Sequence, residues 1–251
     1  MENILCVCNP KGGTGKTTTA ISIAEAYTMG SKRVLLIDFD LLGVPSKYFS
    51  MWVAKDRSAN SETTEEKPIS AENEELIYTT LNEKIDIIPW HETMISDLSY
   101  PIGKHNPLKD TIIASAPAYD LIIIDTSRLS PKFEMAISKN LLITASDDLS
   151  IEGIQYLLEV WNTLDDEDRN WIQIRGILLT MVNKSSYLSK NLRAHLTHYF
   201  KDRVLETIIP RNEKIQKSIA NRESIFSYDL KSPPSMAYIT ATKELMNKWR
   251  F

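Results

Sequence analysis

Apolar runs of strand length alternate with segments of helical period along most of the chain. Ile4–Asn9, Arg33–Asp38, Ile85–Ile88, Leu121–Asp125, Leu141–Ala145, Arg175–Val182 and Leu205–Ile209 are short apolar stretches, the form taken by strands buried on both faces of a parallel sheet. Between the first two, Ala20, Ile23, Ala24 and Tyr27 recur at i, i+3, i+4 and i+7, and Gly30 follows as a stop, which predicts a helix and so a βαβ unit. Apolar spacing predicts further helices over Ile151–Leu164, Leu188–Phe200, Glu213–Asn221 and Ser235–Lys248. The alternation implies one α/β domain over 1–251, a doubly wound, mostly parallel sheet flanked by helices. Segment 55–75 breaks the pattern. It is polar, rich in Ser, Thr and Glu and almost without large apolar side chains, and is expected to be a mobile surface insertion.

Composition narrows the class. The chain has 251 residues, 43% hydrophobic and 25% charged, ordinary for a soluble domain with one sizeable core. No apolar run approaches the ~18 residues a membrane span needs, and Glu2 stands where a signal peptide would be basic, so a cytoplasmic location is expected. The two cysteines, Cys6 and Cys8, lie two apart; in a strand they share one face and cannot readily bond each other, so they are expected as buried strand residues. The net charge of -4 hides an asymmetry. Residues 172–251 carry 14 Lys+Arg against 6 Asp+Glu, a net of +8, leaving 15 against 27, or -12, for residues 1–171.

Of only 8 glycines, Gly12, Gly13 and Gly15 fall within four positions. The run Cys8-Asn9-Pro10-Lys11-Gly12-Gly13-Thr14-Gly15-Lys16-Thr17-Thr18 follows a predicted strand and opens a predicted helix, the context a phosphate-binding loop requires. Backbone N–H groups there face an anion. Lys16 is placed to pair with β- and γ-phosphate oxygens and the Thr17 hydroxyl to ligate Mg²⁺. The usual first glycine is replaced by Pro10, and a second lysine, Lys11, precedes the Gly-Gly pair.

This deviant loop, K-G-G-x-G-K-T, resembles that of the ParA/MinD superfamily of ATPases. Val34-Leu35-Leu36-Ile37-Asp38-Phe39-Asp40 is similar to the family's D-x-D segment and Tyr119–Thr126 to its Walker B strand. Carboxylates at strand C-termini sit where open α/β sheets bind ligands, so Asp38 and Asp125 can reach Mg²⁺ or its waters. Ile151-Glu152-Gly153, Gly176–Met181, Ile209-Pro210-Arg211-Asn212 and Tyr228-Asp229 also look like ParA segments in ParA order. The resemblance implies that Gly12, Gly13, Thr14, Gly15, Lys16, Thr17 and Thr18 hold ATP, with Asn183, Pro210 and Arg211 beside the adenine. It further implies that Lys11 reaches the nucleotide of a partner subunit and that Asp40 orients or deprotonates the attacking water. Two departures, Leu41-Leu42-Gly43 after the D-x-D pair and Thr126-Ser127-Arg128 in place of Pro-Pro, fall where the γ-phosphate is sensed and bear on hydrolysis rate and coupling.

Three functions fit such a relative. A DNA-partition ATPase forms an ATP-dependent homodimer, binds nonspecific DNA in the nucleoid and is released when a ParB-like centromere-binding partner stimulates a weak basal hydrolysis. For it, Lys184, Lys190, Arg193, Lys201, Arg203, Lys214, Lys217 and Arg222 are the candidate phosphate-binding cations. A MinD-like positioning ATPase needs an amphipathic basic tail; Tyr238, Ala241, Leu245 and Trp249 do form a stripe, but one expected to pack on the sheet, so no membrane association is expected. An iron–sulfur reductase needs cysteines in loops near a dimer axis, which Cys6 and Cys8 do not provide; a nucleotide-dependent synthetase is the other relative of this third class. Partition is the reading preferred here.

Overall fold

The structure is a computed structural model describing residues 2–39, 77–80, 82–88, 112–126, 131, 134–135, 138–183, 185–221 and 223–249. Asp40, Leu41-Leu42-Gly43, segment 55–75, Ser127, Arg128, Lys184 and Arg222 lie outside the described residues.

Eight described strands form one sheet: β1 Ile4–Cys8, β2 Val34–Asp38, β3 Tyr78–Thr79, β4 Ile85–Ile88, β5 Leu121–Asp125, β6 Asn140–Ala145, β7 Gln173–Val182 and β8 Val204–Pro210. Their order is β3-β4-β2-β5-β1-β6-β7-β8. Every pairing is parallel except that of the two-residue edge strand β3 with β4. The seven expected strands are all present. The edge strand was not predicted, because two residues carry no periodicity and pairing with β4 alone defines them.

Helices cover both faces: α1 Lys16–Thr28, α2 Leu149–Asn162, α3 Asp166–Trp171, α4 Tyr187–Phe200, α5 Glu213–Ala220, α6 Ile225–Asp229 and α7 Pro233–Lys248. Strand alternation divides the core. Ile4, Cys6 and Cys8 join Ile154, Leu157, Leu192 and Leu196 of α2 and α4 on one face. Leu5 and Val7 join Ala20, Ile23 and Ala24 of α1 with Tyr238, Ala241 and Leu245 of α7 on the other. Cys6 and Cys8 are free and buried, as expected. The α7 stripe is core: Tyr238, Ala241, Leu245 and Trp249 are all buried. No helix among the described residues is long and apolar enough to cross a membrane.

This topology sets the site. Successive crossovers leave β1 toward β2 on one side, and the chain later returns through β5 to β6 on its other side. The loop after β1 therefore sits at the carboxyl end of a central strand, where such sheets open a crevice.

Candidate functional site

The β1–α1 loop owes its shape to its glycines. Gly13 and Gly15 have φ of 75° and 80°, a region that L side chains adopt only with strain, and Gly15 is the N-cap of α1. A Cβ at Gly12 or Gly13 would meet nothing within 4 Å, so space lies open beside the loop. Its far side is tied down. The Thr14 hydroxyl lies 2.8 Å from that of Thr144 on β6, and Thr180 of β7 donates to the Thr14 carbonyl at 2.7 Å. Asn9 donates to the Thr144 carbonyl at 2.7 Å and accepts from the Lys11 amide at 2.8 Å. These groups are buried, so each must be paired, and together they hold the loop in one form.

Helix α2 presses on the same loop through Gly153. A Cβ there would stand 2.2 Å from Asn9 Oδ1 and 3.3 Å from the Lys11 amide, so only glycine lets α2 approach. Sequence reasoning matched Gly153 to a pattern without seeing this; the glycine inside a helical stretch was the available signal.

The lysines take different positions. Lys16 is buried, and its ammonium donates to the Asn9 and Lys11 carbonyls at 2.9 and 3.0 Å, which centres it over the loop. Lys11 is partly exposed and grips both oxygens of Asp147 at 2.6 Å. Asp147 also accepts from the Ser150 amide and hydroxyl at 3.0 Å each, at the start of α2. Burial raises its pKa, but the bonds from Lys11 and Ser150 outweigh that and leave the carboxyl below its usual range. Asp147 was missed. Its contact is 136 residues away in sequence, and its only local signal is that of a helix-start residue.

Thr17 and Asp125 come together as expected, the hydroxyl donating to the carboxylate at 2.8 Å. Asp38 is paired in register with Asp125 on the neighbouring strand, both carboxylates buried, and the Phe39 amide donates to the Asp125 carbonyl at 2.9 Å. A hydroxyl and two strand-end carboxylates beside an anion-binding loop form a hard oxygen set. Mg²⁺ typically takes one or two carboxylates and completes its shell with phosphate and water, so these residues fit it.

On the other flank, Pro210 of β8 pairs in register with Val182 of β7, and the Arg211 amide donates to the Val182 carbonyl at 3.0 Å. Asn183, Pro210 and Arg211 are therefore gathered at one edge. Asn183 turns its side-chain oxygen to the Ser185 hydroxyl at 2.8 Å, and Asn212 caps α5 by accepting from the Lys214 amide at 2.9 Å.

The whole span carrying this geometry, residues 5–225, matches the CobQ/CobB/MinD/ParA nucleotide binding domain. The chain belongs to that family. It is 28% identical over 257 residues to the sporulation initiation inhibitor protein Soj of Bacillus subtilis, covering 98% of each chain. It is 27% identical over 255 residues to the chromosome partitioning protein ParA of Myxococcus xanthus, covering 98% of this chain and 88% of that one. Among solved structures, apo McdA of Cyanothece superposes with a TM-score of 0.75 at 19% identity, over 97% of this chain and 99% of that one. Cobyrinic acid a,c-diamide synthase of Mycobacterium smegmatis, with bound ATP analogue and magnesium, superposes at 0.71 with 20% identity, over 99% and 96%. These structural likenesses show the family's P-loop fold; of the two sequence relatives, that of Myxococcus is named for chromosome partitioning.

The basic C-terminal residues divide unevenly. Lys214 is paired with Asp229 at 2.5 Å and Lys217 with Glu213 at 2.9 Å. Arg193 donates to the Glu206 carbonyl at 3.2 Å. Lys190, Lys201 and Arg203 have no ion pair among the described residues.

Proposed function

We propose that the protein is an ATP-driven partition switch, a weak ATPase whose ATP-bound homodimer holds nonspecific DNA until a ParB-like partner stimulates hydrolysis. The observation that carries this reading is the pair of loop lysines in two roles, Lys16 centred over the loop and Lys11 held at the open rim on Asp147. In it, the loop amides and Lys16 bind the phosphates, Thr17, Asp38 and Asp125 hold Mg²⁺, and Asn183, Pro210 and Arg211 flank the base. Mg²⁺, when bound, supplies charge neutralisation at the phosphates. Lys11 exchanges Asp147 for a partner subunit's nucleotide, an exchange between two charged acceptors at a partly exposed site that costs little. Asp40 orients the water. Because Lys214 and Lys217 already face carboxylates, Arg193 and the unpaired Lys190, Lys201 and Arg203 are the stronger phosphate-binding candidates among the described residues. The protein would act in the cytoplasm, on the nucleoid.

A gel shift with nonspecific duplex in ATP, ADP and a nonhydrolysable analogue tests the reading. Binding with ATP and the analogue but not ADP, steeply weakened by salt and by Arg193→Glu, is expected. Sedimentation with anionic liposomes and no shift at low salt would overturn it in favour of a membrane-positioning ATPase.

A further inference from the structure

We infer that Glu134 is a buried proton-holding residue that positions the end of β5 through Thr126, and that nucleotide binding draws a proton onto it. The inference rests on the nucleotide-binding reading above and assigns a role to a residue outside the phosphate loop and the Mg²⁺ set.

Thr126 directly follows Asp125, the carboxylate that meets Thr17. Its hydroxyl oxygen lies 2.9 Å from the Val7 carbonyl oxygen and 2.7 Å from Glu134 Oε1. A hydroxyl has one proton, and a carbonyl can only accept. Both contacts are hydrogen bonds only when the carboxyl is protonated, so that Glu134 donates to Thr126 and Thr126 donates to Val7. The relay then ties the end of β5 to β1 next to the phosphate loop. When Glu134 ionises, the hydroxyl turns toward the carboxylate and its bond to the Val7 carbonyl is lost.

The surroundings favour the proton. Glu134 is 1% exposed, and its Oε2 has no hydrogen-bond partner among the described residues, a costly place for an ionised oxygen. Burial pushes its pKa up to about 7, opposed by the Thr126 bond and by the charge of Lys16. Among the described residues, the other titratable groups around it are Cys6 and Cys8 on β1 and Asp125 on β5. Burial holds the Cys6 thiol well above its usual range, and Cys8 is also raised, its bond with Cys6 opposing burial; neither thiol supplies a charge, and Asp125 is engaged with Thr17. Among the described residues, Lys16 is thus the positive charge that tolerates an ionised Glu134. Phosphates bound at the loop neutralise Lys16, so an ionised Glu134 becomes less favourable and takes a proton from solvent. The tie falls at Thr126-Ser127-Arg128, where the chain departs from its family resemblance.

Calorimetric titration of the full chain with MgADP, in two buffers of different ionisation enthalpy, reads this linkage. At about pH 7.5 the parent should take up on the order of half a proton per nucleotide more than Glu134→Gln, and its affinity should fall by up to about tenfold between about pH 6 and 9 while that of Glu134→Gln stays flat. The glutamine amide still donates to Thr126, so affinity at low pH is preserved. Thr126→Val removes the bond that favours ionisation and should also abolish the extra uptake, which keeps the test open if the glutamine variant folds poorly. Equal proton uptake by the parent and either variant would overturn the assignment. Absence of saturable nucleotide binding by the parent would instead overturn the nucleotide reading on which it rests.

Discussion

The phosphate-loop end and the basic C-terminal face are both polar, yet they are built in opposite ways. At the loop, neutral side chains from β6 and β7 and the backbone of α2 meet one segment, and beneath the exposed Lys11–Asp147 pair Thr14, Thr144, Thr180 and Asn9 are buried and bonded. On the C-terminal face, charges meet in exposed pairs such as Lys217 with Glu213, one helical turn apart. Buried polar networks fix geometry because an unpaired member is costly; exposed pairs contribute little and exchange readily. A site that must hold phosphates in one arrangement needs the first construction.

The comparison is broken most severely at Gly153. Gly153→Ala drives a methyl to 2.2 Å from Asn9 Oδ1, and Asn9 cannot withdraw without abandoning its bonds to Thr144 and Lys11. A loss of about 2–4 kcal/mol in denaturant unfolding, with impaired nucleotide binding, is expected.

Glu25 shows burial without such a network. It is buried on α1, its Oε2 has no hydrogen-bond partner among the described residues, and burial pushes its pKa up to about 8 against a bond to Ser224. The folded state holds this proton more tightly than the unfolded chain. The contribution to stability is therefore full below about 4.5 and lost as pH rises to about 8, amounting to a few kcal/mol. Thermal melts across that range should show Glu25→Gln declining less with pH than the parent.

Thr180→Val removes the donor to the Thr14 carbonyl without changing volume much, and should cost about 1–2 kcal/mol in the same unfolding assay. Lys217→Gln, at the other pole, should stay within about 0.5 kcal/mol of the parent.

The same contrast governs what could be read in advance. Strands β1, β2, β5 and β6 lie inside a sheet covered on both faces, so each is an unbroken apolar run, and its boundaries followed within a residue or two. Helix α5 was legible from its apolar spacing; its cap, Asn212, emerged only in the structure. The loop was legible because the residues that shape it are neighbours in sequence, Gly13 and Gly15 by their positive φ and Lys16 by its bonds back to Asn9 and Lys11. Asp147 and Thr180 were not, because each acts on residues far away in the chain; Glu134 lies close in sequence to Thr126, yet nothing local distinguishes it from a surface glutamate. The pairing of Lys214 with Asp229 was likewise invisible. Counting charges locates a basic region without saying which charges are already engaged.

Titration with a fluorescent ATP analogue, with and without Mg²⁺, tests the central claim most directly, that the β1–α1 loop with Lys16, Thr17 and Asp125 is a nucleotide site. The parent should bind saturably and more tightly with Mg²⁺, Thr17→Ala should lose the Mg²⁺ dependence, and Lys16→Ala should weaken binding by at least about a hundredfold. Unchanged affinity in a folded Lys16→Ala, or no Mg²⁺ effect in the parent, would contradict it.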